Sequence, residues 1–418
     1  MSTLLAKGKN IGLFSIFSSY SINKLVSFLA NLLIVRLLSI NSYGIYGAVM
    51  NLYALFTLFS GFGMGSSALI YGSEQRDPTQ KHAILAYTFR WGLIGSVLQS
   101  AAFTVYVLFL PLGIMEMQSY ALYLFLLPIF SFTLSFIQIL FRTRQNNRMF
   151  ARLNTLQAIL TAFGSVFGAF CFGLSGLIVS RYLTVFIPIV YGFSKLEYHK
   201  TTVALPQNLK KEIWEFSIKS GLTSCLNQIV CLLDVALLVQ LMKDPVTVAQ
   251  YKVAASIPDN LNFIPNTLMV ALVPLFSYHL TDPDWMRRSF KKLWLANFCG
   301  QLLLLFLLWN IGPFVLVQLW GPSYSACIPC FRILCVSYFF LAAFRLMSTN
   351  LLAVYKKVSF NLMVAVFTCV LNIFLDFILI PNFHMIGAAW ATCISVAFTS
   401  LLSFPYLNTL ILSKKNQS

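Results

Sequence analysis

Long, mostly apolar runs recur along the chain from Ile11 to Leu412, parted by short polar connections. A hydrocarbon core of roughly 30 Å is crossed by about 20 helical residues, so each run is long enough to span a bilayer. The runs lack the alternating apolar and polar pattern of a barrel strand, and a helix satisfies its own backbone groups in lipid. The sequence therefore predicts an all-α polytopic membrane protein. Composition agrees, with 58% hydrophobic and 10% charged residues and a mean hydropathy of +0.78, whereas soluble domains are about 25% charged. The longest polar stretch, Glu197 to Glu215, is too short for a soluble domain.

Twelve spans are expected, at about 11–38, 44–72, 83–110, 119–141, 154–174, 177–195, 215–241, 250–278, 293–319, 328–353, 358–380 and 385–412. The run that follows Lys7 and Lys9 is too long for a signal peptide's apolar core and reads as the first span. Alternate connections then divide sharply by charge. One set holds Lys7 and Lys9; Arg76 and Lys81; Arg142, Arg144, Arg148 and Arg152; Lys195, Lys200, Lys210 and Lys211; Arg287, Arg288, Lys291 and Lys292; Lys356 and Lys357; and Lys414 and Lys415. The other set holds Lys243 alone. Positive charge marks the cytoplasmic side, so both termini are expected inside, and a missed span would scramble the alternation. The outer connections are short, which leaves no room for a catalytic domain. Trp214 and Trp320 fall at span ends, where interfacial aromatics belong.

The net charge of +17 would suggest nucleic acid in a soluble chain, but here no basic domain carries it, and no nucleic-acid partner is expected. The nine Cys lie nearly all within apolar runs. Cys327 and Cys330 form the one close pair, with no His near them, so neither a metal site nor a cofactor is expected.

The chain carries a weak internal repeat. Asn23-Lys24-Leu25-Val26-Ser27 matches Asn227-Gln228-Ile229-Val230-Cys231, Val35-Arg36-Leu37-Leu38 meets Val239-Gln240-Leu241-Met242, and Tyr46-Gly47-Ala48 meets Tyr251-Lys252-Val253. Likeness at half the chain length predicts two six-helix lobes of shared orientation. The expected division is an N-terminal lobe over 1–196, a cytoplasmic linker over 197–214 and a C-terminal lobe over 215–418.

Eight basic residues remain within or at the edges of spans: Lys24, Arg36, Arg90, Arg181, Lys219, Lys252, Arg332 and Arg345. Three acids join them: Asp234, Asp259 and Asp376. A charge at mid-membrane costs about 2.5–3.5 kcal/mol on insertion scales, so this many imply a polar, net cationic cavity. Lys24 lies halfway along its span, too deep to snorkel easily, and Arg345 is moderately deep. Arg36, Lys219, Lys252, Arg90 and Arg332 lie near span ends, where snorkelling is the simpler reading. The three acids are candidates for ion coupling or internal salt bridges, and Asp376, one helical turn after Asn372, could equally bond another helix. Pro258, Pro265 and Pro274 punctuate the eighth span and are hinge candidates, since proline removes a backbone donor and kinks a helix. Gly61, Gly63 and Gly65 suit close helix packing.

A cationic cavity argues for an anionic cargo, and no G-x-x-x-x-G-K-[ST] motif is present to power ATP-driven transport. Moving one charge through 100 mV is worth about 2.3 kcal/mol, so two negative charges gain about 4.6 kcal/mol leaving a negative interior.

Several motifs, in order, resemble the Wzx-type oligosaccharide flippases, a polysaccharide-transporter branch of the superfamily that contains the MATE exporters. They are Asn23-Lys24, Tyr43-Gly44-Ile45-Tyr46, Asp234, Gln250-Tyr251-Lys252-Val253-Ala254, Trp320-Gly321-Pro322-Ser323-Tyr324, the stretch Asn372 to Pro381, and Gly387-Ala388-Ala389-Trp390-Ala391-Thr392. The resemblance implies a V-shaped, MATE-like bundle of twelve helices in two lobes, working by alternating access. It implies a cargo of undecaprenyl-diphosphate-linked sugar repeat units, carried to the outer leaflet of a bacterial inner membrane, for O-antigen or a related surface polysaccharide. Lys24, Arg345, Lys252, Arg181, Arg332, Lys219 and Arg36 are the residues expected to meet the diphosphate, and no catalytic residue is expected. Membrane lipids, a polysaccharide polymerase and a chain-length regulator are the further partners implied. One departure is that the second span lacks the interior basic residue that members of this family often carry. Rival readings are a MATE-type antiporter for cationic drugs, whose cavity should be net acidic, and a lipid II flippase, which would carry two further helices.

Overall fold

The computed structural model of the protein describes residues 13–74, 77–196, 205–280, 282–355 and 357–413. Lys7, Lys9, Arg76, Lys200, Lys356, Lys414 and Lys415 of the charge pattern lie outside the described residues, as do the side chains of Asn23 and Asn227.

Every described element is helical. In chain order they are α1 Leu13–Leu37, α2 Ile40–Thr57, α3 Met64–Ser73, α4 Pro78–Phe109, α5 Met117–Leu122, α6 Leu127–Thr143, α7 Asn147–Ser194 and α8 Gln207–Met242. Then come α9 Pro245–Leu261, α10 Phe263–Tyr278, α11 Pro283–Asn310, α12 Gly312–Trp320, α13 Ile328–Phe340, a π turn Leu341–Arg345, α14 Leu346–Val354 and α15 Val358–Ser413. Six of the described helical stretches are long and apolar enough to cross a membrane by length and composition. Phe163, Phe167 and Phe170 are 73%, 67% and 74% exposed, a surface that suits lipid and not water. The protein is a multi-pass membrane protein.

Helix starts follow local chemistry. Each of the Asp-Pro pairs 77–78, 244–245 and 282–283 opens a helix, with the Asp carboxylate accepting from the first-turn amides and the Pro at a position whose N–H has no partner to lose. Asp244 accepts from the Val246 and Thr247 amides, both at 3.0 Å, and from the Thr247 hydroxyl at 2.6 Å. Partial burial pushes its carboxyl up, but these donors outweigh the burial and hold it below its ordinary value of 3.8.

Two helices are too long for one crossing. The 48 residues of α7 and the 56 of α15 would each exceed 70 Å if straight, at about 1.5 Å per residue. Both double back. Gly173 takes φ 60°, ψ −138°, and beyond it the Gly168 and Gly176 backbones meet so closely that a Cβ on either would strike the other's carbonyl. His384 takes φ 53°, ψ −131°, and Gly387 packs on the Leu379 carbonyl in the same manner. The reversal at Gly173 falls at the end of the segment expected at 154–174, ahead of that at 177–195, and the one at His384 falls between those at 358–380 and 385–412.

Three breaks interrupt helices elsewhere. The second expected span, 44–72, is not continuous: Gly61, Phe62 and Gly63 take left-handed φ values of 56°, 55° and 71° between α2 and α3. Gly63 also sits against the Ser217 carbonyl, where a Cβ would clash, so the close packing anticipated for this glycine run is real but comes with a broken helix. Between α9 and α10, Pro258 and Pro265 bracket the joint at Asn262. Pro265 has no N–H to give to the Leu261 carbonyl, and the Tyr338 hydroxyl donates to that oxygen instead, at 3.3 Å. Pro274 lies within α10, its side chain outside the described ones. In the π turn, carbonyls freed by the extra residue are met by Asn297, which donates to Ala342 O at 3.0 Å, and by Ser400, which donates to Phe340 O at 3.2 Å.

The chain forms two compact units, Met1–Gln228 and Ile229–Ser418. In the first, Leu205, Leu209 and Ile213 pack on Met64, Ala83 and Ile84, and Ser67 donates to Ile213 O at 3.0 Å. Trp214 joins this cluster, its Nε1 donating to the Tyr87 hydroxyl at 3.1 Å. In the second, a core of Met269, Phe276, Met286, Phe290, Met347, Leu351, Leu352, Leu407 and Ile411 ties α10, α11, α14 and α15 together. Trp320 is only 3% exposed, so its ring packs inside its unit and does not face the membrane interface. Cys327 and Cys330 are buried free thiols.

Candidate functional site

In the second unit the structure gathers an acidic chamber. Asp234 of α8 is 4% exposed, and Asn372 and Asp376, one turn apart on α15, are both fully buried. Asp234 Oδ2 accepts from the Tyr251 hydroxyl of α9 at 2.7 Å and from the Thr392 hydroxyl beyond the His384 reversal. Asp376 lies close enough to Asp234 for the two carboxyls to interact directly. Yet Asp234 Oδ1, both Asp376 oxygens and both polar atoms of Asn372 complete no hydrogen bond among the described residues. Neither carboxyl is paired with a base among them. Two negative charges held together in so buried a place are costly, and a proton or a small cation between them would relieve that cost. The donors available are carboxylate, amide and hydroxyl oxygens, a set that suits a hard cation.

The first unit has a chamber at the corresponding place in sequence. Adding 211 to Thr161, Ser165 and Arg181 lands on Asn372, Asp376 and Thr392, and Tyr46 corresponds to Tyr251 in the repeat. Thr161, Ser165, Arg181 and Tyr46 line one cavity of about 210 Å³, together with Ser27, Ala30, Asn31, Ile34, Tyr43 and Ala162. Arg181 donates to the Tyr46 hydroxyl and lies 5.8 Å from the centre of its ring. Tyr43 donates to Asn31 Oδ1 at 3.2 Å. The charge differs: the first chamber holds the guanidinium of Arg181 at the place of Thr392, and Ser165 stands at the place of the Asp376 carboxyl.

The other expected site residues are not brought together within either unit. Lys24 is exposed, one turn before Ser27 on the stripe of α1 that carries Ser27 and Asn31. Arg36 is exposed beside an apolar groove of about 410 Å³ lined by Leu33, Leu37, Phe163, Phe167 and Phe170. Lys219 is exposed, 3.9 Å from Glu215. In the second unit, Lys252 is half-buried and Asp259 exposed, two turns apart on one face of α9. Arg332 lies over the Trp309 ring at 5.2 Å, and Arg345 closes the π turn.

Sequence reasoning singled out Asp234, Asp376 and Arg181 but passed over Ser165, Thr161 and the bonds that Tyr46, Tyr251 and Thr392 make. The signal that finds them is the 211-residue correspondence between the two hairpins, which holds for the reversal residues Gly173 and His384 as well.

A family model described as polysaccharide biosynthesis protein matches residues 10–279. The chain belongs to that family. Solved structures similar to this family member share its fold over nearly its whole length. A multidrug resistance MATE family transporter of the MOP superfamily, in an inward-facing conformation, has 15% identity and a TM-score of 0.75 over 96% of this chain and 99% of that one. Lipid II flippase MurJ, in an inward closed conformation, has 13% identity and a TM-score of 0.75 over 95% of this chain and 87% of that one. A MOP superfamily transporter from Pyrococcus furiosus, described as having a binding pocket of reverse polarity, has 13% identity and a TM-score of 0.57 over 97% and 95%. No curated protein matches the chain. The expected all-helical, MATE-like fold is thus the one found.

Proposed function

We propose that this protein is a flippase that carries undecaprenyl-diphosphate-linked oligosaccharide repeat units, of O-antigen or a related surface polysaccharide, from the cytoplasmic to the periplasmic leaflet of a bacterial inner membrane by alternating access. The observation that carries the reading is membership of a polysaccharide-biosynthesis family on the fold of a transporter. The cations in and near the spans supply charge for a diphosphate: Lys24 in the first unit, and Lys252 and Arg345 in the second. Lysine serves as a point charge and arginine as a fork for phosphate oxygens. The positive-inside pattern sets both termini in the cytoplasm, and potential alone favours outward movement of the diphosphate, by about 4.6 kcal/mol for two charges at 100 mV.

The acidic chamber of Asp234, Asn372, Asp376 and Thr392 supports coupling to H⁺ or Na⁺. Occupancy of the chamber by one H⁺ or Na⁺ would cancel one of its two negative charges, and Tyr251 and Thr392 would report that change to α9 and α15 through their bonds to Asp234.

Deleting the gene in its host and extracting lipid-linked intermediates tests the reading. Undecaprenyl-diphosphate repeat units should accumulate in the cytoplasmic leaflet while surface polysaccharide is lost. Intact polysaccharide with raised sensitivity to cationic drugs would overturn it in favour of a MATE-type antiporter, and accumulation of lipid II alone would favour a peptidoglycan-precursor flippase.

A further inference from the structure

We infer that the first unit's chamber is a binding site for a small monovalent anion of halide size. The inference rests on α1, α2 and α7 alone and not on the nature of the cargo.

Between residues 13 and 194 the only acids are Glu74, Asp77 and Glu116, each at a helix end. Arg181, in the second half of the α7 hairpin, therefore has no carboxylate partner among the described residues of that stretch. One of its terminal nitrogens is used by Tyr46, while its buried Nε completes no hydrogen bond. Ser165 faces the same cavity, is 1% exposed, and its hydroxyl is also without a partner. Asn31 spends its carbonyl oxygen on Tyr43, which leaves its amide nitrogen as the group it can offer.

The chamber thus presents a fixed positive charge, hydroxyl and amide donors, and no carboxylate. A guanidinium in the membrane interior is costly to leave unpaired, and a buried hydroxyl without a partner adds to that cost. The cavity of about 210 Å³ far exceeds what one water needs, which is about 10–15 Å³. It has room for a halide with part of its hydration shell, and none for a sugar repeat unit bearing a diphosphate. An anion held between Arg181 and Ser165 satisfies both groups at once.

The test is thermal unfolding of the full chain in detergent, titrating chloride against gluconate at constant ionic strength. A ligand that binds only the folded state raises the melting temperature with concentration, and a rise of at least about 2 °C by saturation is expected. Arg181→Gln should abolish the chloride response, Arg181→Lys should retain a weaker one, and Ser165→Ala should lower the apparent chloride affinity about threefold or more. The last two variants keep the charge, so they decide the matter should the Gln variant fail to fold. A wild-type chain indifferent to chloride, a Gln variant that responds like wild type, or a Ser165→Ala variant of unchanged affinity would overturn the site. Loss of the flippase reading in the gene-deletion experiment would leave this result untouched.

Discussion

At the scale of single residues, the second unit's chamber concentrates the protein's most costly groups. Tyr251 donates to Asp234 across 2.7 Å between two buried side chains, so Tyr251→Phe should cost about 1–3 kcal/mol, read as a lowered unfolding midpoint. Asp376→Asn should behave otherwise. Asp376 faces the Asp234 carboxyl directly, so removing its charge relieves the repulsion between them and should hold or raise stability, while transport driven by an H⁺ or Na⁺ gradient falls at least tenfold in vesicles. Transport at wild-type rate in that variant would mean the chamber is structural. How visible these residues are in the sequence follows their cost. Asp234 and Asp376 stand out because a carboxyl in an apolar run is rare, whereas Ser165, Thr161 and Thr392 are small hydroxyls of a kind common in membrane helices. Only the arrangement of the hairpins gives them meaning.

At the scale of elements, caps and breaks carry the testable energetics. Asp244→Ala should cost about 1 kcal/mol by uncapping α9. Because the Asp244 carboxyl titrates below its ordinary 3.8 in the folded chain, the cap's contribution is full above that value. It is lost as pH falls through the lower, folded value. The gap in unfolding temperature between wild type and Asp244→Ala should therefore persist down to pH 5 and close only below about pH 3.8. Gly63→Ala should destabilise by at least about 1–2 kcal/mol, from left-handed backbone alone, with the Ser217 carbonyl adding a clash. Gly300→Ala, where a Cβ meets nothing, should instead be neutral or stabilising by about 0.5–1 kcal/mol. The joint near Pro258 and Pro265 was legible, since proline acts locally, whereas the helix starts at Pro78, Pro245 and Pro283 lie ahead of the spans expected from 83, 250 and 293. The break at Ser60–Gly63 was not legible, because alternating glycines serve a packed helix as readily as a left-handed turn, and only the approach of Ser217 decides between them.

At the scale of the whole molecule, the chain's character is written in its distribution of apolar length and positive charge. Those features act over tens of residues and survive local ambiguity, which is why the fold class was readable while small polar site residues such as Ser165 and Thr161 were not. Lys24→Ala and Arg345→Ala, each confirmed as inserted protein, should cut surface polysaccharide by about tenfold, and unchanged polysaccharide in both would remove cargo binding from these cations. The reversals at Gly173 and His384 bear on how such variants can be studied. At those two points the polypeptide turns within a single residue, with a glycine pressed against the facing backbone beside the bend. A protease finds no slack there to draw into its cleft, and an epitope tag spliced in would pry the paired helices apart. Maps of sidedness for this protein are better built on single cysteine labels than on inserted reporters.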